Sequence, residues 1–201
     1  MDSAFMDDFA AGLAVAGIPV ARFEFPYMAK RRVARSAPNQ EDGLSRGGPD
    51  PTPVLLETWR RVIAAIDMAG VSRRALVIGG KSMGGRMASM VADDEGVLGL
   101  VCLGYPFHPP KADVTTKRIA HLATLTTPAL IVQGTRDTFG SQEEVAGYTL
   151  SPAIRVHWMA DGDHSFKPRK SSGRTEPQNL AEAIATVAAF VRGVAETQRG
   201  L

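Results

Sequence analysis

The chain has little of what builds special-purpose proteins. A single cysteine, Cys102, among 201 residues excludes an internal disulfide and a multi-cysteine zinc site, and it fits a reducing compartment. No cluster of His, Cys, Asp and Glu has metal-ligand spacing, so neither a metal nor another cofactor is expected. Charge of neither sign dominates: 23 Lys and Arg stand against 21 Asp and Glu, a net of +2, and no nucleic-acid partner follows from that balance. Apolar runs are strand-sized and fall short of the roughly 18 residues that span a bilayer, so no membrane partner is expected. The first residues, Met1 to Asp8, are acidic where a signal peptide would be basic, which points to a cytoplasmic protein. Internal repeats and domain linkers are absent as well. What remains is an ordinary globular mixture, 44% hydrophobic and 22% charged, expected to form one domain over residues 1–201.

Periodicity divides the chain into alternating elements. Phe5, Phe9 and Leu13 recur at helical spacing with Gly17 as a C-terminal cap, and Pro19 to Pro26 has the alternating character of a short strand. From Tyr27 to Asp50 the period disappears, which predicts a long loop carrying the basic run Lys30 to Arg35, usually a solvated face and otherwise a contact for an anionic substrate or partner. A second helix opens at Thr52 and Pro53 with Leu55, Trp59, Val62 and Ile66 as its buried stripe. Strands are expected at Arg74 to Gly80, Val97 to Gly104, Ala129 to Gly134 and Ile154 to Met159. Helices are expected at Met83 to Asp93, Lys117 to Leu125, after the Ser141/Glu144 capping box, and along Leu180, Ile184, Val187, Val191 and Val194. Strands that are apolar throughout and alternate with helices predict an α/β fold, a mostly parallel sheet with helices on both faces.

In such a sheet function sits beyond the carboxyl ends of the strands. Three ends hold matched residues. Gly80-Lys81-Ser82-Met83-Gly84 follows the first of the four strands and has the form of a nucleophile elbow, a sharp turn that lifts a serine clear of its backbone. Asp137 follows the third strand and His164 the last. A serine hydroxyl needs a base to act as a nucleophile; His164 suits that task, Asp137 would orient the imidazole, and the Met83 N–H would face an oxyanion. Asp161 and Asp163 flank His164 and remain alternatives to Asp137. Lys81 and His108 are candidate substrate-binding residues, with a solvated charge and a surface-loop histidine as the ordinary alternatives. His121 and His157 read as structural, and Cys102 as a small buried hydrophobe. Gly80-Lys81-Ser82 also matches the tail of a phosphate-binding loop, but the earlier glycine would have to be Ala75.

The stretches Val20 to Tyr27, Gly79 to Arg86, Gln133 to Asp137 and Gly162 to Phe166 resemble the α/β-hydrolase branch that joins the testis-expressed and NSL-complex-subunit hydrolase-like proteins to small bacterial hydrolases akin to dienelactone hydrolase. The resemblance covers essentially the whole chain and implies Ser82 as nucleophile, Asp137 as acid and His164 as base. It implies a serine hydrolase of a small-molecule ester, lactone or thioester, or a catalytically silent scaffold of the same fold used for interaction. Relatives carry a strand ending in a His-Gly-Ala-Gly type loop ahead of the Met-Asp-Ser-x-Phe segment at which this sequence starts. The resemblance therefore implies a truncated sequence, a sheet missing one N-terminal central strand, and loss of the loop supplying a second oxyanion donor, worth about a hundredfold to a thousandfold in rate. No separate lid domain is expected, which leaves the Tyr27 to Asp50 loop as the candidate cover.

Overall fold

A computed structural model describes residues 4–36, 48–110 and 118–200. Four strands form one parallel sheet in the order β1-β2-β3-β4, namely β1 (Val77–Lys81), β2 (Gly99–Leu103), β3 (Ala129–Gly134) and β4 (Ile154–Met159). The two middle strands are buried along their whole length, as continuous apolar runs require when both faces are covered. Their residues alternate between two cores. Leu100, Cys102, Ala129 and Ile131 join Leu55, Trp59 and Ile63 of α3 (Thr52–Met68) and Met87 of α4 (Met83–Ser89). Val101, Leu103, Leu130 and Val132 join Phe9 and Leu13 of α1 (Ala4–Val15) and Ala183 and Val187 of α7 (Glu176–Arg199). The expected layering is present, and among the described residues β1 stands at one edge and pairs with β2.

Several expectations are corrected. Pro19 to Pro26 forms no strand; side chains hold the segment, Phe23 lying edge-on to Trp59 at 4.6 Å and Arg22 pairing with Asp7. The first part of the expected loop is a helix, α2 (Pro26–Ser36), and residues 37–47 lie outside the described residues. Its start is made by a distant group: the Tyr27 N–H donates to Asp50 Oδ2 at 2.8 Å, capping the helix from 23 residues away. The stripe of α3 has Leu55 and Trp59 as expected and continues with Ile63 in place of Val62 and Ile66. The Met83 helix ends at Ser89, and a separate turn, α5 (Ala92–Glu95), follows. In place of a Lys117–Leu125 helix there is a 3-10 turn, Ala120–Ala123, with Lys117 outside the described residues. The Ser141/Glu144 capping box opens α6 (Gln142–Val145), as expected.

Candidate active site

Ser82 sits between β1 and α4 with φ 52° and ψ −122°, a conformation that non-glycine residues rarely hold and that packing must impose. The packing comes from Gly80 and Gly85. A Cβ on Gly85 would lie 2.5 Å from the Gly80 oxygen and 3.2 Å from Cys102, so only glycine lets α4 descend onto the strands. Gly84, the motif's second glycine, has open space around it. The Ser82 N–H donates to Leu103 O at 2.9 Å, and the Met83 N–H belongs to the first turn of α4, where helix amides lack intrahelical partners. Because residues 77–81 form a strand, there is no glycine-rich loop ahead of Lys81 and the phosphate-loop alternative falls away.

His164 and Asp137 meet beside this turn. Nδ1 of His164 lies 2.8 Å from Asp137 Oδ2, the carboxylate being 0% exposed and the imidazole 24% exposed. Of the three candidate acids, Asp137 is the one that touches the ring. Asp163 instead accepts the N–H groups of Ser165 and Lys167, and Asp161 pairs with Arg169 and Arg136, the hydrogen bonds from Arg169 holding its carboxyl below the usual range. The Phe139 ring lies against the imidazole at a tilt of 36° with centroids 4.4 Å apart, and the Phe139 N–H donates to Asp137 Oδ1 at 2.9 Å. Among the described residues the Ser82 hydroxyl makes no hydrogen bond to the imidazole.

Gln133 belongs to one of the blocks that carry the family resemblance, but the sequence assigns it no role of its own. Its side chain is fully buried: the two N–H groups of Nε2 are shared among Asp137 Oδ2 at 2.9 Å, Gly140 O at 3.1 Å and Tyr105 O at 3.2 Å, while Oε1 accepts from the Tyr105 N–H at 2.7 Å. A lone amide at the end of an apolar strand, four residues before an acid, was the available signal. Lys81 is half-buried. Its Nζ donates to the main-chain oxygen of His164 at 2.6 Å, and burial pulls its pKa down to about 8. His108 is buried, with Nδ1 bonded to Pro109 O and Nε2 3.5 Å from Glu144. His121 pairs with Ser89 Oγ at 2.9 Å and His157 with Glu182 at 3.0 Å. Cys102 is buried and its thiol pKa is pushed up by that burial. No group of three or more metal-ligating side chains occurs among the described residues, and none of their helices is long and apolar enough to cross a membrane.

Solved structures share this architecture. An alpha-beta serine hydrolase homologue from Coxiella burnetii superposes with a TM-score of 0.66 at 21% identity, over 96% of this chain and 77% of that one. The esterase domain of a Rhodothermus marinus protein gives 0.61 at 15% identity, over 94% and 80%. A serine hydrolase without lid from Xanthomonas campestris gives 0.61 at 18% identity, over 95% and 75%. At such identities the likeness establishes the fold. Residues 1–192 also match the sequence family described as alpha/beta hydrolase domain. With that match over most of its length and a parallel, helix-covered sheet, the chain belongs to the alpha/beta hydrolase domain family and has the α/β-hydrolase fold.

Proposed function

We propose that the protein is a serine hydrolase of ester, lactone or thioester bonds that works through an acyl-enzyme on Ser82. The observation that carries this is the 2.8 Å bond between His164 and a fully buried Asp137, beside a serine held in a strained strand-to-helix turn. Ser82 Oγ attacks the carbonyl carbon while its proton passes to Nε2 of His164, and Asp137 stabilises the imidazolium through Nδ1. The oxyanion forms toward the Met83 N–H. Collapse expels the alcohol or thiol, which takes the proton from His164 and leaves acyl-Ser82. Water then gives a proton to His164 and attacks the acyl carbon; the acid departs as Ser82 recovers its proton. The gap between Ser82 and His164 does not count against these roles, because such bonds commonly close only around substrate.

Within the family we assign the chain to the branch of testis-expressed and NSL-complex-subunit hydrolase-like proteins and dienelactone-hydrolase-like enzymes, on the four sequence blocks that resemble it. The test is intact-mass analysis after exposure to a fluorophosphonate, in which Ser82 Oγ would displace fluoride from phosphorus. A single adduct that Ser82→Ala abolishes is expected. Absence of the adduct would favour the silent scaffold instead.

A further inference from the structure

Lys81 ends β1 one residue before Ser82, and its side chain enters the layer formed by α1 and the loop after β4. The ammonium lies 4.9 Å from the centre of the Phe5 ring and 5.8 Å from that of Phe166, and it donates to His164 O at 2.6 Å. A Cβ on Gly104 would stand 2.9 Å from the same oxygen, so glycine at that position leaves room for the carbonyl to turn toward the lysine. Among the described residues no ion pair includes Lys81; the carboxylates acting on it are Asp137 and Asp163, and the group it touches is the His164 main chain. A partly desolvated ammonium without a paired carboxylate is costly. The offsetting contacts, one charge-assisted hydrogen bond and two ring faces, come from the segment that carries the imidazole and from α1.

We propose that Lys81 is a positioning residue of the hydrolytic site: reaching from the nucleophile's own strand, it clamps the His164 main chain and sets the placement of the imidazole relative to Ser82. Its catalytic meaning rests on the roles given to Ser82, His164 and Asp137 above. The clamp itself rests on geometry. Burial brings the lysine to about 8, against the pull of Asp137 and Asp163, so above that pH the ammonium loses the charge that strengthens its bond.

The test compares wild type, Lys81→Arg and Lys81→Met. Turnover of a short nitrophenyl ester is followed from about pH 6 to about pH 10, beside hydrogen exchange of residues 161–167. Lys81→Met is expected to lower kcat by about 10- to 100-fold with KM within about twofold, the signature of misplacement rather than lost binding. Wild-type kcat is expected to fall above about pH 8, and Lys81→Arg to keep most of the activity without that fall. Exchange over 161–167 should rise about tenfold in Lys81→Met and stay near wild type in Lys81→Arg. A Lys81→Met variant whose KM rises while kcat holds would make the lysine a substrate contact and overturn the proposal. Unchanged exchange would overturn the clamp. Ser82→Ala turnover equal to wild type would defeat the serine mechanism alone, since exchange still decides for or against the clamp.

Discussion

Gly84 and Gly85 are neighbours in α4 with opposite constraints. A Cβ on Gly84 would meet nothing within 4 Å, while one on Gly85 would press on Gly80 O and on Cys102. Gly84→Ala is therefore expected to stabilise the protein by up to about 1 kcal/mol, because alanine loses less entropy in a helix. Gly85→Ala is expected to cost about 1–3 kcal/mol through overpacking. Urea midpoints of the two variants check the pair, and equal effects would contradict the packing account. The G-x-S-x-G pattern led to the right turn but to the wrong second glycine, since a motif records spacing and not which atoms touch. Gln133 shows the converse case. Its position at the end of β3 was legible, but its bonds to Asp137 and to Tyr105, 28 residues away, depend on where β2 ends beside β3.

The loop between β4 and α7 is the element on which the site depends most. It places His164 between two residues with left-handed backbones, Asp161 at φ 53° and Phe166 at φ 66°, so tertiary contacts must hold its shape. Asp161 is tied to Arg136 and Arg169. Asn179 of α7, fully buried, donates to Phe166 O at 2.7 Å and Ala160 O at 3.3 Å and accepts from Arg174 Nε at 2.6 Å. Asn179→Ala should leave those carbonyls unbonded and lower stability by about 1–3 kcal/mol. Esterase activity measured well below the melting transition should fall with it, and full activity in a destabilised variant would separate the loop's shape from Asn179. At this scale β3 and β4 were legible to the residue, because apolar runs bounded by turn residues are local signals. The helix α2 was not, because the Asp50 carboxylate that caps it is remote in sequence and its own stretch is basic and polar.

For the molecule as a whole, Lys81 sets stability and activity against each other. Its folded value of about 8 lies below the roughly 10.4 of an unfolded lysine, so between these values the unfolded chain binds more protons. The cost of burying the charge is complete below about pH 8 and is relieved as pH rises through that window. The urea midpoint of wild type is thus expected to rise relative to Lys81→Met between about pH 7 and about pH 10, over the range in which wild-type kcat falls. A constant difference between the two proteins would place the lysine in solvent. Near neighbours along the chain fix the four strands of the sheet, the helices α1, α3, α4, α6 and α7, the cover on both faces and the turn at Ser82, because periodicity and turn chemistry are local signals. Long-range packing settles the rest: Asp137 rather than Asp161 or Asp163 meets His164, Lys81 turns inward to a carbonyl 83 residues away, and residues 19–26 stay out of the sheet. Each of these outcomes depends on which distant backbone and side-chain groups the fold brings within hydrogen-bonding reach, and spacing along the chain carries no record of that distance.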